Sequence, residues 1–100
     1  MKYEQGILIN NLIDKIYEET KIFSSPMFLE HPYYKALLDM GDEILPYLFH
    51  NSISETGFSW IKLSLFANLS GENPIPEEHN GLFIHQVSDW INWFLQSKYK

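Results

Sequence analysis

The sequence predicts an all-α fold, a compact bundle of about five helices forming one domain over residues 1–100. Three observations carry that prediction. Large apolar residues return every third or fourth position over long stretches, which is the period of a helix. The strict apolar/polar alternation of a half-buried strand is absent, and β-branched residues are few apart from isoleucine. Prolines and single glycines fall between the periodic stretches, where helices must stop.

The first periodic stretch spans Ile7 to Phe23. It places Leu8, Ile9, Leu12, Ile13, Ile16 and Phe23 on one stripe, with Asn10, Asn11, Asp14, Lys15, Glu18 and Lys21 mostly opposite. Ser24, Ser25 and Pro26 break it, and Met27, Phe28 and Leu29 are expected to form a turn packed on the core. A second helix opens at His31-Pro32, since proline suits a first helical position. It carries Tyr33, Tyr34, Leu37, Leu38 and Met40, and Gly41 is expected to end it as a left-handed cap. Asp42 is expected to N-cap a third helix, Glu43 to Asn51, with Pro46 in the first turn. Ile44, Leu45, Leu48 and Phe49 form its apolar side, and Asn51 to Gly57 reads as a polar connector.

The fourth helix, Phe58 to Ser70, is apolar nearly all round, broken only by Ser59, Lys62, Ser64 and Asn68. A helix without a polar face must be covered on most sides, so it is expected at the centre of the domain with Trp60 in the core. Gly71 is its expected C-cap. Glu72-Asn73-Pro74-Ile75-Pro76 cannot continue a helix, because two prolines force extended backbone before them. Glu77 to Gly81 reads as a turn. The last helix, Leu82 to Gln96, sets Phe83, Ile84, Val87, Trp90, Ile91, Phe94 and Leu95 on a stripe, with His85, Gln86, Ser88, Asp89 and Asn92 opposing it.

Parts of this pattern resemble known helical proteins. The stretch from Leu38 through Met40-Gly41-Asp42-Glu43-Ile44-Leu45-Pro46 to Phe49 resembles a HEAT-type hairpin, and Trp60 to Leu69 is similar to the helix that follows in such repeats. The resemblance implies antiparallel helical hairpins. A HEAT array repeats at roughly 40 residues, so a chain of 100 residues holds one copy plus fragments. The sequence also resembles short uncharacterised all-helical bacterial proteins. The matching motifs are His31-Pro32-x-Tyr34, Met40-Gly41, the helix led by Trp60, Gly71-Glu72-Asn73-Pro74, and Trp90-x-x-Trp93. That likeness covers about two-thirds of the chain, excludes the first helix, and implies a fold but no activity.

Composition narrows the function. A chain of 100 residues, 45% hydrophobic and 16% aromatic, can bury a sizeable core without staples. It contains no cysteine, which removes disulfides, thiolate metal sites and cysteine nucleophiles and fits a reducing, cytoplasmic setting. No apolar run suits a signal peptide or a membrane span. Seven lysines, no arginine and thirteen acids give a net charge of −6, which speaks against nucleic-acid binding; the acids serve solubility and would also suit a basic partner.

The chemistry-bearing residues point to no cofactor, metal or catalytic site. His31, His50, His79 and His85 include no pair spaced to share a helical face. Glu18-Glu19, Asp42-Glu43 and Glu77-Glu78 are adjacent and point about 100° apart on a helix. Ser88, His85 and Asp89 form a triad only on paper, without a nucleophile elbow. Trp93 stands off the apolar stripe beside Leu82 and Gln86, either an interface anchor or a ring covered by the first helix or by Tyr99. Glu72 and Asn73 sit on a rigid turn that can present hydrogen-bonding groups. The leading expectation is a non-enzymatic protein–protein interaction module, either an acidic inhibitor or antitoxin-like chain or an assembly subunit. Its candidate contacts are Trp93, Leu82, Gln86, Glu72 and Asn73, and its partner is another protein or a second copy. The alternative is a ligand-binding protein or enzyme with a site near His31, Tyr34 and Glu72.

Overall fold

The computed structural model describes residues 3–20 and 27–99. Five α-helices follow one another: α1 (Tyr3–Thr20), α2 (Pro32–Asp39), α3 (Leu45–Asn51), α4 (Trp60–Ser70) and α5 (Phe83–Leu95). Short 3-10 turns occupy Met27–Glu30, Asp42–Ile44 and Glu77–His79, and there is no strand among the described residues. The fold is all-α. Helix α4 packs against α2, α3 and α5, which is the central position its missing polar face requires, while α1 lies chiefly along α2.

Helix α1 begins earlier than the periodicity predicts. Lys21, Phe23 and the break at Ser24–Pro26 lie outside the described residues. Ile9, Ile13 and Ile16 are buried and Leu12 partly so, whereas Leu8 is exposed. The buried stripe is narrower than expected, and Leu8 stands about 100° away from Ile9 around the helix. The N-terminal part of α1 is docked by Tyr47 of α3. Its hydroxyl donates to the carbonyl of Gly6 at 3.0 Å and accepts from the Asn10 amide at 2.8 Å. The ring lies so close that a β-carbon on Gly6 would come within 2.8 Å of it.

Helix α2 starts as expected, with His31 as its N-cap. Nδ1 of His31 accepts the Tyr33 N–H at 3.1 Å, and Nε2 meets Glu19 of α1 at 2.9 Å. Tyr34 is buried, and its hydroxyl joins Ser64 (2.6 Å) and Asn68 (2.8 Å) of α4 in a closed polar network. The helix closes at Met40 in right-handed geometry. Gly41, at φ +82° and ψ 178°, takes a positive-φ backbone that favours glycine, but its ψ is not that of the expected αL cap. Asp42 does not cap α3 either. The Asp42–Ile44 turn intervenes, α3 starts at Leu45, and the Asp42 carboxylate binds the Tyr99 hydroxyl instead.

The expected connector after Asn51 is a helical extension. Ser52–Thr56 continue α3 as a wider π turn, closed by the Gly57 N–H on the Ser52 carbonyl at 2.9 Å. Polar side chains allow this by bonding back: Ser54 to the His50 carbonyl at 2.7 Å and Thr56 to the Asn51 side chain at 2.9 Å. Lys62, which sequence reading treats as a polar break in α4, completes the end. Its side chain is buried to 6% exposure, and the ammonium donates to Thr56 Oγ1 at 2.6 Å and the Gly57 carbonyl at 2.7 Å. A cation at a helix C-terminus answers both the unpaired carbonyls and the helix dipole. Burial lowers the affinity of this amine for its proton, and the Asp14 carboxylate partly offsets that effect.

Helix α4 begins at Trp60, with Ser59 as its N-cap, and ends at Gly71, whose left-handed backbone (φ +73°, ψ 12°) gives the expected cap. Trp60 corrects the sequence reading. It is 48% exposed and packs edge-on to Phe83 at the start of α5, while Ile61, Lys62 and Leu63 of the same turn are buried. The core centres on Phe49, stacked at 4.0 Å on Phe66 and at 4.4 Å on Phe94. Two rings cannot share one face at those distances, so Phe49 is sandwiched. Trp90 closes on Phe66 edge-to-face at 5.7 Å.

Two substitutions test this packing. Gly6→Ala is expected to destabilise the fold by about 1 kcal/mol in urea denaturation. The gain of roughly 0.5–1 kcal/mol from helix propensity is outweighed by displacing Tyr47 from two hydrogen bonds. Ser52 is 3% exposed and its hydroxyl has no hydrogen-bond partner among the described residues. Ser52→Ala is therefore expected to stabilise by about 0.5–1 kcal/mol, and a loss of stability would reveal a partner for that oxygen.

Candidate functional site

The buried arc of α5 is turned toward Trp93. Trp90 and Phe94 are buried, and Phe83, Val87 and Trp93 pack against the core. Ile84 and Leu95, expected on the apolar stripe, are 75% and 51% exposed. The physical reason is ring area. Trp93 reaches Phe49 at 6.0 Å and Trp90 at 5.3 Å, and turning an indole inward removes more apolar surface from water than turning in one aliphatic chain. The flank that follows Trp93 inward carries Gln86, half-buried, and Asp89.

Trp93 is therefore no free-standing anchor. The chain beyond α5 folds back over it. Ser97 Oγ donates to the Phe94 carbonyl at 2.8 Å and accepts the Tyr99 N–H at 3.1 Å. This turn places the Tyr99 ring 6.0 Å from Trp93 and its hydroxyl 2.5 Å from the Asp42 carboxylate. That hydrogen bond holds the Tyr99 phenol above its usual pKa, and the Glu72 carboxylate adds to the effect. Lys98 lays its ammonium 5.3 Å from the centre of the Tyr99 ring.

The result is a half-open groove of about 330 Å³ lined by Ser70, Glu72, Trp93, Ser97, Lys98 and Tyr99. It joins two residues that sequence reading singled out separately. Glu72 is delivered by the stop at Gly71, where its N–H is held by Ser70 Oγ at 3.1 Å. Trp93 comes from α5. Asn73 is exposed and not part of the lining; its side chain accepts the Ile75 N–H at 3.2 Å and shapes the proline-bounded turn. Leu82 is 46% exposed at the opposite end of α5, about 16 Å along the axis from Trp93. Gln86 is occupied, its amide donating to the His79 carbonyl at 3.1 Å. Of the five candidate contacts, Glu72 and Trp93 share the groove, Asn73 shapes the turn that follows Glu72, and Leu82 and Gln86 lie toward the start of α5.

The groove includes neither His31 nor Tyr34. His31 caps α2, and Tyr34 is sealed between α2 and α4. The pairing of His85 with Asp89 is replaced by a hydrogen-bonded pair unseen in the sequence. Nδ1 of His79 meets Asp89 at 2.7 Å, and His85 stacks on the His79 ring at 4.9 Å. Those contacts pin the Glu77–His79 turn to α5. Among the described residues no three His, Asp or Glu side chains converge as a metal site would need. Nor, among those residues, is any helix long and apolar enough to cross a membrane.

Tyr99→Phe is expected to release the chain end from Asp42 and raise the solvent exposure of Trp93. In a Trp60→Phe background, the tryptophan emission should shift to the red with the helical circular dichroism unchanged. An unmoved spectrum would mean that the hydroxyl does not hold the cover over Trp93. Against known proteins, the chain matches no family model, no curated protein and no solved structure.

Proposed function

We propose that this chain is a non-enzymatic protein-binding module whose groove receives a basic segment of a partner protein. The observation that carries the reading is the groove itself, with an indole and a phenol ring beside the Glu72 carboxylate. Aromatic faces and carboxylates together favour an ammonium or guanidinium group over a neutral or anionic one. The surrounding charge acts in the same direction, because a net charge of −6 draws a cationic partner toward the surface before contact. Lys98 already shows the kind of group the Tyr99 ring accepts, and a partner's side chain would displace it. A small acidic chain that covers a basic site on another protein serves as its inhibitor or as a subunit of its assembly.

A lysine-rich peptide titrated into the Trp60→Phe protein is expected to change the tryptophan emission saturably. Glu72→Gln should weaken that binding by about twofold to fivefold, the range of one partly exposed charge pair of roughly 0.5–1 kcal/mol. A flat emission, or an affinity indifferent to Glu72, would overturn the reading.

A further inference from the structure

The order of contacts along α4 and α5 shows that the two helices run in the same direction. Trp60, the first residue of α4, meets Phe83, the first of α5, with ring centres 5.0 Å apart. Phe66 meets Trp90 at 5.7 Å further along. Ser70, the last residue of α4, shares the groove with Trp93 and Ser97 at the end of α5. The connector from Gly71 to Leu82, with Pro74 and Pro76 opposing any continuation of α4, carries the chain back to the starting end. This pair is therefore no antiparallel hairpin.

Parallel helices bring both C-terminal ends to one place. Each end leaves carbonyls without intrahelical partners and carries about half a negative charge. Neither helix has a basic residue in its last turn to answer it. The Glu72 and Asp42 carboxylates, which both act on the Tyr99 phenol, stand at the same place. The chain meets a similar situation elsewhere with an ammonium. Where the extension of α3 ends, Lys62 gives its N–H groups to the Thr56 hydroxyl and the Gly57 carbonyl. The groove repeats those surroundings with Ser70 and Ser97 at two helix ends. Among its lining residues only Lys98 supplies a cation, and that ammonium rests over the Tyr99 ring.

The rings decide which kind of cation fits. The centres of Trp93 and Tyr99 are 6.0 Å apart. Even one methyl carbon between two ring faces needs them about 7–8 Å apart, at roughly 3.5–4.0 Å from each. A trimethylammonium group therefore does not enter between them. A cation in the groove has a ring on one side and oxygen atoms on the others, and oxygen is answered by N–H. A primary ammonium has three such donors, and a trimethylated one has none.

We infer that the groove recognises an unmethylated primary ammonium, the side chain of a partner's lysine, through its N–H groups, and that methylation of that lysine releases the partner. The inference rests on the reading of the groove as a site for a basic segment and narrows it.

Pentalysine and penta(Nε-trimethyllysine) carry the same charge, so long-range attraction is alike and the local chemistry of the groove makes the difference. Titrated into the Trp60→Phe protein and followed by tryptophan emission, pentalysine is expected to bind about threefold to tenfold more tightly, the range of one or two hydrogen bonds at a half-open site. Gln96→Lys places an ammonium at the exposed C-cap of α5 and should weaken pentalysine binding about threefold. Asn80→Lys adds the same charge on an exposed residue before the far end of α5 and should cost less than about twofold. Equal or tighter binding of the trimethylated peptide overturns this inference and leaves the basic-segment reading standing. So does an effect of Asn80→Lys as large as that of Gln96→Lys, since net charge alone would then govern the affinity. Binding of neither peptide overturns both.

Discussion

The sandwich of Phe49 between Phe66 and Phe94 fixes the positions of α3, α4 and α5 at once, because a ring covered on both faces cannot shift without opening two interfaces. Everything else is arranged around it. Trp90 closes edge-on against Phe66, Trp93 reaches Phe49 from the α5 flank, and His50 stands edge-on to Phe94. The rotation of α5 about its axis follows from this cluster. Once Trp90, Phe94 and Trp93 face inward, Ile84 and Leu95 have no interior position left.

Polar contacts supply register where apolar packing alone would allow sliding. Tyr34, Ser64 and Asn68 lock α2 to α4 through hydroxyl and amide groups that must pair once removed from water. Tyr47 does the same for α1 and α3, and only glycine at position 6 lets its ring lie against the helix backbone. Lys62 joins the end of α3 to the start of α4 at the expense of burying an amine, and two acceptors at 2.6 and 2.7 Å compensate for that burial. These devices use hydrogen-bonding groups in pairs or triples, which gives each helix contact one preferred alignment.

The helices were legible because their signal is periodic and local. Proline at the start of α2, Gly71 after α4 and the all-round apolarity of α4 each act within one turn of chain, and each is found where its chemistry places it. What escaped the sequence depends on tertiary competition. Trp60, expected in the core, is exposed, and Trp93, open between an anchor and a covered ring, packs against the core, because a helical wheel does not say which of two adjacent arcs has aromatic partners. Asp42 serves as acceptor for Tyr99, a residue 57 positions away, instead of capping α3. The His79–Asp89 pair forms across a turn, where no periodic pattern marks it. Half of the groove was visible in Glu72 and Trp93. The other half, Ser97 to Tyr99, depends on a fold-back that begins with one serine hydroxyl on the last carbonyls of α5.

The contacts that hold the molecule together differ widely in the length of chain they close. Lys62 reaches Gly57 across five residues, and Phe49 meets Phe66 within the same hairpin, so the α3–α4 unit closes short loops at small entropic cost. The Tyr99–Asp42 contact spans 57 residues and closes a far longer loop. The cover over Trp93 rests on contacts of Ser97 and Tyr99 that the Phe49, Phe66 and Phe94 stack does not share, so lifting it exposes the indole without opening the aromatic centre.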